Sequence, residues 1–539
     1  EDIMTISPFT RRTALASSAV LASTAALAAC GGGGESSDTA EKIENPDDNL
    51  NPEGMPIVDE PITISLMSRR ANTSAEEWNQ ISSVQETQSI TNIEVDWGLV
   101  GEEAVAERRN LLLTSGDYPE AFYRTGVPGG DIAKYGEQGV FVALNQLIDE
   151  YMPNLTARME EYPALRTGLT FPDGNIYSLP GIYDPKALGL RYQTKFWARK
   201  DWLDAAGMSA PETLDEYRAY LEEVKGSRDG AIPLGGQGIG SIFSCLYGTF
   251  GIANKGTDAG AAVDLDPETG AVRYYPASDG YRDMLEYLHG LYADDLLQQD
   301  IFATDFAAFT SAGTEGTLGS CATQAPAGFF GEEGENYVAL APLVRSSGDE
   351  PAWHAVRSEL SSIGNFVMTD NCEHPIELAR WMDFWFSEEG ARLFFLGVEG
   401  KSYHEVDGKL ELLPEITESG SVDEGLKEHV LYLGGWYPGW ATDTWFRGVE
   451  TSEQSTEGAK VVEPYALEEV WPAFTFSAEE SQRITTIGND IAKYADESLA
   501  AFVTGERSLD EWDDHVATFE QIGLPDYLAA HQTAHDRRK

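Results

Sequence analysis

The sequence has few cysteines, few basic residues and no long hydrophobic run in its main part. It holds 4 Cys among 539 residues, and its 37 Lys and Arg stand against 90 Asp and Glu, which gives a formal net charge of -53. So acidic a chain repels phosphate backbones, which argues against nucleic acid as a partner. No apolar stretch after Cys30 reaches the length that a transmembrane helix needs.

The chain also lacks the sequence motifs of several enzyme and metal-binding classes. It contains no CxxC, HExxH or GxSxG pattern. Residues 397–402 imitate the end of a P-loop, but Phe395 stands where that motif requires glycine, and residues 236–240 lack the last glycine of a dinucleotide fingerprint. Calcium needs several oxygen ligands, but residues 226–231 supply a single carboxylate. The run 264–270 is a weaker calcium candidate, and its residues are those expected in a turn. We therefore predict no cofactor and no required metal.

The N-terminal segment is typical of an exported protein. Arg11 and Arg12 precede a run of small and apolar residues that ends at Leu27 and is too short to cross a bilayer. The following Ala-Ala-Cys resembles the lipobox of bacterial lipoproteins, which implies a signal peptide over residues 1–29 and a lipid anchor on Cys30. We therefore expect the chain on the extracytoplasmic face of a bacterial cell membrane.

Residues 30–58 are predicted to form a disordered tether, because they begin with a glycine tract and show no apolar periodicity. If Cys30 carries lipid, three cysteines remain. The pair to test is Cys245 with Cys321, and the alternative is that both are isolated buried thiols.

Strands and helices alternate along the first part of the body. Apolar residues recur at every second position in the segments 62–66 and 93–97, and the segments between the strands are helical in pattern. The predicted strands are 62–66, 93–97 and 120–123, and the predicted helices are 75–86 and 103–114. This order predicts an α/β fold with a parallel sheet. Further on, Thr213 and Glu216 have the spacing of a capping box and predict the start of a helix.

Several segments, in this order and spacing, resemble the family 1 extracellular solute-binding proteins of ABC importers, nearest to the LplA-like sugar-binding lipoproteins. The matching segments are 114–120, 175–180, 199–202, 211–217, 232–234 and 384–401. The resemblance implies a periplasmic-binding-protein type II-like fold, with two α/β lobes joined by a hinge and a ligand cleft between them. It also implies that the protein captures an oligosaccharide and delivers it to the membrane permease subunits of an ABC importer, and we expect it to act as a monomer.

The lobes expected from this resemblance are discontinuous. Lobe 1 combines residues 59–190 and 340–400, and lobe 2 combines residues 191–339 and 401–539. Short apolar stretches near 189–196 and 337–343 are the expected crossovers between the lobes.

The ligand site is expected in the cleft, where aromatic rings can stack on the C–H faces of sugars. The densest aromatic segment, 436–446, follows two glycines and has the spacing of neither a helix nor a strand, so we interpret it as a loop that displays rings. Other candidates follow the strands of the first lobe, since doubly wound sheets bind ligands at their carboxyl ends. The candidate ligand-binding residues are Trp436, Tyr437, Trp440, Asp443, Trp445, Arg69, Arg70, Asn72, Trp97, Tyr123, Arg124 and Trp353.

Two alternatives for the site stay open at this point. The aromatic segment could be a packed corner beneath the hinge, and Arg69 with Arg70 could pair with a carboxylated sugar. Two alternatives for the function also stay open: a secreted glycoside hydrolase, which needs only two carboxylates that meet in space, and a peptide-binding protein of the same fold.

Overall fold

A computed structural model describes residues 38–258 and 260–539. The predicted signal peptide (residues 1–29) and the predicted lipidation site, Cys30, lie outside the described residues. Within the described ranges, no helix combines the length and the hydropathy that a membrane crossing requires.

The strands of the described residues are β1 (Ile62–Arg70), β2 (Ile93–Asp96), β3 (Leu99–Gly101), β4 (Ala121–Tyr123), β5 (Gly181–Tyr183), β6 (Lys195–Arg199), β7 (Ile232–Gly236), β8 (Val263–Leu265), β9 (Val272–Tyr274), β10 (Leu318–Thr323), β11 (Tyr337–Ala339), β12 (Leu360–Ser362), β13 (Phe366–Met368), β14 (Tyr403–Val406), β15 (Lys409–Leu412) and β16 (Gly439–Ala441). The α-helices of the same residues are α1 (Asp38–Glu44), α2 (Ser82–Thr91), α3 (Val105–Ser115), α4 (Gly129–Glu137), α5 (Asn145–Tyr151), α6 (Pro153–Glu161), α7 (Ala164–Leu169), α8 (Leu188–Arg191), α9 (Lys200–Ala206), α10 (Leu214–Ser227), α11 (Ile239–Leu246), α12 (Asp279–Ala293), α13 (Phe306–Thr314), α14 (Ala327–Phe330), α15 (Pro375–Phe384), α16 (Glu388–Phe395), α17 (Pro414–Thr417), α18 (Val422–Leu426), α19 (Glu453–Val462), α20 (Ala478–Thr504), α21 (Trp512–Ile522) and α22 (Leu524–Arg537).

The first sheet has the strand order β13-β4-β1-β2, and β3 also pairs with β1. Strand β1 runs parallel to β2, β3 and β4, whereas β13 is antiparallel to β4. Ile64 and Leu66 of β1 are buried, as their alternation predicts. The predicted α/β fold is confirmed, with β1, β2 and β4 at the three predicted strand positions.

The second sheet has the strand order β11-β6-β10-β7. Strands β7 and β10 are parallel, and β6 is antiparallel to β10. The predicted capping box starts α10: the Glu216 amide donates to Thr213 Oγ1 at 3.2 Å, and the Thr213 amide donates to Glu216 Oε2 at 3.1 Å.

A short third sheet, β12-β5-β16, lies where the chain passes between two hydrophobic cores. The first core contains Ile182 of β5, Leu360 of β12 and Trp440 of β16, and the second core contains residues from Tyr192 to Val356 and from Ala459 onward. The chain therefore leaves the first core after β5, returns at β12 and leaves again after β16.

Two stretches pack differently from the expected lobe assignment. Leu340 and Leu343 lie in the second core, although the return crossover is expected near them, because the chain reaches the first core only at β12. Ile416 and Leu426 lie in the first core, since residues 401–441 fold back on it before the chain crosses for the last time.

The predicted tether is wrong for residues 38–58. Helix α1 lies in this segment, Ile57 and Val58 are fully buried, and the Thr39 hydroxyl donates to the carbonyl of Asp370 at 2.8 Å. The segment has too few apolar residues to show a period, but those few residues pack on a hydrophobic surface that the rest of the chain supplies.

The described cysteines, Cys245, Cys321 and Cys372, are free and buried. Cys245 and Cys321 therefore form no disulfide in the structure, and the alternative, isolated buried thiols, describes them. The run 264–270 forms the turn between β8 and β9. Asp266 accepts from the Thr269 amide at 2.8 Å, and Asp264 pairs with Arg273 at 2.7 Å, so local turn and ion-pair contacts occupy both carboxylates.

Candidate ligand-binding site

The carboxyl ends of β1 and β4 meet at one edge of the first sheet. Because β2 lies on one side of β1 and β4 on the other, the strand order changes direction at β1, and open α/β sheets bind ligands in the crevice at such a point. Arg69 and Arg70 end β1, and Arg124 follows β4. The structure brings Arg69 and Arg124 together with the segment that ends in Trp436, more than 300 residues away in the chain.

Arg124 holds this segment through its backbone. Its guanidinium donates to the carbonyls of Leu431 at 2.5 Å, Leu433 at 2.6 Å and Gly435 at 2.6 Å. The side chain is fully buried, and burial lowers its pKa to about 10, so it still carries its charge at neutral pH. We call Arg124 and its carbonyl partners the Arg124 clamp.

Arg69 supports the same segment from β1. Its Nη1 donates to the carbonyl of Gly434 at 2.8 Å, and its Nη2 pairs with Glu102 just beyond β3. Its Cζ lies 4.5 Å from the centroid of the Trp436 ring, within the range of a cation–π contact. Arg69 is itself only 3% exposed, so its guanidinium interacts with groups of the protein rather than with solvent.

Trp436 is thereby displayed in a fixed orientation. Gly434, Gly435 and Trp436 all have positive φ, and the value for Trp436 is 54°, a conformation that non-glycine residues seldom adopt. The residue is 51% exposed, yet a Cβ atom at Gly126 would lie only 2.7 Å from Cζ3 of its ring. The indole thus rests on Arg69 and Gly126 and presents the rest of its surface to solvent.

The other predicted residues of this segment differ in exposure. Tyr437 is buried against Phe394 and Phe395, and Trp440 is buried in β16. Trp445 is half-buried against the first core, and Asp443 is exposed. The aromatic residues from Tyr437 onward are therefore mostly packed, whereas Trp436 is displayed.

Three more predicted candidates have almost no exposed surface. Trp97 is 3% exposed, packs against Trp78 with ring centroids 5.1 Å apart, and donates from its indole to Asn79. Tyr123 is fully buried, which raises the pKa of its hydroxyl, and Trp353 is buried in the second core. Their packing leaves Arg70, half-buried, and Asn72, exposed, as the predicted residues near the end of β1 that solvent reaches.

A second sheet edge carries residues that the sequence analysis did not select. Gln237 and Thr323 lie at the carboxyl ends of the parallel strands β7 and β10, and Gln237 Nε2 donates to Thr323 Oγ1 at 3.3 Å. The sequence signal for this edge is the glycine-rich segment 236–240, which lacks the last glycine of a dinucleotide-binding motif.

The chain after β16 passes from the first core to the second sheet. A Cβ atom at Gly328, in α14 just beyond β10, would lie 2.6 Å from Val449 Cγ1. Gln454 accepts from the Ala327 amide and donates to the Gly334 carbonyl, both at 2.8 Å. The segment 442–455 therefore runs from the first core to the carboxyl edge of the second sheet.

Comparison with known proteins agrees with this architecture. The chain is 27% identical over 499 residues to the fructooligosaccharide ABC transporter substrate-binding protein FusA of Streptococcus pneumoniae serotype 4. The aligned region covers 88% of this chain and 90% of that protein. The structure of FusA in complex with kestose matches with a TM-score of 0.71 at 22% identity, over 88% of this chain and 99% of that one. An extracellular solute-binding protein of Bifidobacterium longum subsp. infantis matches with a TM-score of 0.74 at 19% identity, over 89% and 98%.

These structural matches are evidence for the fold. The family of bacterial extracellular solute-binding proteins matches residues 83–392, which is more than half of the chain. The chain belongs to the family of bacterial extracellular solute-binding proteins.

Proposed function

We propose that this protein is the substrate-binding component of an ABC importer and that it captures an oligosaccharide between its two cores. The observation that carries the proposal is the exposed indole of Trp436, which Arg69, Gly126 and the Arg124 clamp fix at the switch point of the first sheet. Sugar rings present apolar C–H faces, and a fixed aromatic ring binds such a face at little cost in conformational entropy.

The relatives support a saccharide as the ligand class. FusA is named as a fructooligosaccharide-binding protein and covers nearly the whole chain. A second relative, named as the polygalacturonan/rhamnogalacturonan-binding protein YtcQ, is 25% identical over 41% of this chain. One name refers to a neutral saccharide and the other to an acidic one. Whether the ligand of this protein is charged therefore has to be inferred from the residues of its site.

The partners of Arg69 favour a neutral saccharide. Its guanidinium already pairs with Glu102, donates to Gly434 and lies against Trp436. A carboxylated sugar would have to compete with Glu102 for the same donors, which leaves Arg70 as the cation at this strand end that has no such partner among the described residues.

Ligand capture is proposed to close the two cores as two lobes around the sugar. The short sheet β12-β5-β16 provides three chain crossings, which suit a hinge. A ligand that contacts both sides binds the closed form more tightly and therefore shifts the population toward it.

The test is a binding assay with a matched pair of tryptophan variants. Wild-type protein, Trp436→Ala and Trp202→Ala are titrated with neutral fructo- and gluco-oligosaccharides, an oligogalacturonate and short peptides. Trp202 is a suitable control because it is half-buried and has Arg199 4.9 Å from its ring, but it lies in α9, beyond the opposite end of the second sheet. We expect Trp436→Ala to weaken neutral saccharide binding about 10- to 100-fold, or about 1.4 to 2.7 kcal/mol, and Trp202→Ala to bind normally.

Other outcomes of this assay would contradict the proposal. Binding of peptides without saccharides would favour a peptide-binding protein. Release of new reducing ends during incubation with a saccharide would favour a glycoside hydrolase. Preference for the oligogalacturonate, lost in Arg70→Ala, would replace the neutral ligand by an acidic one.

A lipid anchor on Cys30 is proposed to keep the protein at the membrane, near the permease. The support is the signal-like segment that ends in Ala-Ala-Cys. Expression of wild type and Cys30→Ser in a bacterial host tests it. We expect the wild type in the membrane fraction with an acylated N-terminal peptide in its mass spectrum, and we expect the variant without that modification.

A further inference from the structure

The rings of Phe306 and Phe329 meet and form an aromatic patch at the carboxyl edge of the second sheet, and exposed Phe302 precedes them in the chain. We define the Phe306 patch as Phe306 and Phe329. We propose that this patch contacts the bound saccharide from the second core, opposite Trp436. The inference rests on the proposed function and adds a second platform to the same site.

The fold brings the patch to the ligand-binding edge. Leu297 bridges Leu234 of β7 in parallel, so the chain after Leu297 continues toward the carboxyl end of β7 and reaches Phe302 and Phe306 there. Helix α13 then begins at Phe306 and leads back to the start of β10. Since α14 begins directly beyond the carboxyl end of β10, Phe329 comes to the same edge.

The patch combines solvent exposure with a ring-to-ring contact. Phe302 is 38% exposed and Phe306 is 50% exposed, while Phe329 is half-buried. The rings of Phe306 and Phe329 meet edge to face, with centroids 5.2 Å apart and an interplanar angle of 89°. Beneath them the buried rings of Phe309 and Phe330, 5.1 Å apart, anchor α13 and α14.

The neighbours of the patch suit a neutral polar ligand. Gln237 and Thr323 lie at the same strand ends, and amide and hydroxyl groups bind sugar hydroxyls without a net charge. The nearest capping carboxylate, Asp305, accepts from the Ala308 amide at 2.8 Å and is thereby used in starting α13. Aromatic rings beside uncharged donors and acceptors suit the C–H faces and the hydroxyls of a neutral saccharide.

The connection after β16 supports a site shared by both cores. Val449 lies against Gly328, the residue before Phe329, and the segment 442–455 that contains Val449 directly follows β16 of the first core. A saccharide in the crevice between the cores would therefore have Trp436 on one side and the Phe306 patch on the other. Exposed aromatic surface in so acidic a protein is then explained by ligand contact.

The test compares Phe306→Ala, Phe306→Leu and Tyr465→Ala with the wild type. Tyr465 is the matched control because it is an aromatic residue 38% exposed, at the end of α19 beside the second core. Binding is measured with the neutral oligosaccharide that the wild type binds best. We expect Phe306→Ala to raise Kd about tenfold and Phe306→Leu, which keeps an apolar side chain without the ring, to raise it about threefold, while Tyr465→Ala binds normally. Thermal unfolding without ligand verifies that all variants fold.

The outcomes separate this inference from the proposed function. Unchanged affinity in Phe306→Ala, together with weakened binding in Trp436→Ala, overturns the second platform and leaves the proposed function intact. Absence of saccharide binding in the wild type overturns both. Unchanged affinity with loss of uptake in a cell that carries the permease also overturns the inference, because the patch would then dock on the transporter.

Discussion

The backbone conformation of Trp436 is costly by itself and depends on its neighbours. A non-glycine residue at a φ of 54° costs on the order of 1 kcal/mol, and such residues persist where surrounding contacts determine them. Here the Arg124 clamp binds the carbonyls just before Trp436, and Arg69 covers the ring. The orientation of the indole is therefore set before a ligand arrives, which lowers the entropy lost on binding.

Gly126→Ala tests whether this orientation matters. The new Cβ would lie 2.7 Å from Cζ3 and 2.9 Å from Cε3 of Trp436, so the ring has to move. We expect saccharide affinity to fall at least fivefold and the free energy of unfolding to fall by about 1 to 2 kcal/mol, since alanine is also strained at a positive φ. Titration calorimetry and urea unfolding measure the two effects.

Gly139→Ala is the control for Gly126→Ala. Gly139 has a φ of 76°, and no atom lies within 4 Å of its added Cβ, so it shares the backbone strain without the ring contact. It should lose stability but keep its affinity. Equal affinities in the two variants would mean that the position of the indole does not determine binding.

The residue scale also defines what the sequence can predict of the site. Aromatic density and the two glycines identify the segment that contains Trp436. Which ring is displayed follows from Arg124 and Gly126, which are separated from Trp436 by about 310 residues and cannot be found by spacing. For the same reason Arg124, predicted as a ligand contact, is found fully buried in a backbone clamp.

At the scale of single elements, a helix start that depends on neighbouring residues can be predicted from the sequence. The packing of a segment on a distant part of the chain cannot. The capping box of Thr213 and Glu216 is complete within four residues, and the structure has it as predicted. The residues 38–58 contain no such signal, because their order comes from contacts such as Ile57 on the first core. A sparse apolar sequence looks disordered until its partner surface is known.

The C-terminal helices contain a buried histidine that links their packing to pH. His515 of α21 is 2% exposed among aromatic rings, and its Nδ1 lies 3.0 Å from the hydroxyl of Tyr494 in α20. Arg507 donates to the same hydroxyl at 3.0 Å, so the Tyr494 proton can point to a neutral imidazole. Burial first, and the charge of Arg507 second, lower the pKa of His515 from 6.5 to about 4.

His515→Gln should make stability less sensitive to acid. The unfolded chain binds a proton at His515 below a pH of about 6.5, whereas the folded chain binds it only near pH 4, so the stability from this group is complete above pH 6.5 and is lost between these values. The loss is at most about 3 kcal/mol. Urea unfolding from pH 8 to pH 4 measures it: the wild-type curve should fall more steeply than that of the variant, and parallel curves would contradict the assignment.

At the scale of the whole molecule, the sequence predicts the fold class but not the path between the cores. Alternating strands and helices indicate α/β layers, and the family resemblance indicates discontinuous halves. The three crossings depend on β5, β12 and β16, which are strands of only three residues whose pairing joins positions more than 170 residues apart. Short strands with distant partners carry almost no periodic signal.

The net charge of -53 predicts that salt stabilises the protein as a whole. Like charges on a compact surface repel, and raising the ionic strength from 0.01 M to 0.15 M shortens the Debye length from about 30 Å to about 8 Å. Unfolding separates these charges, so the repulsion weighs on the folded state. We expect the Tm at pH 7 to rise over this range in sodium chloride and to rise equally in choline chloride, because screening depends on ionic strength rather than on the cation.

Calcium chloride at matched ionic strength is the informative third condition. A Tm well above that in sodium chloride would mean that the divalent cation associates with the folded protein beyond simple screening, whereas a flat Tm in all three salts would contradict the electrostatic argument itself.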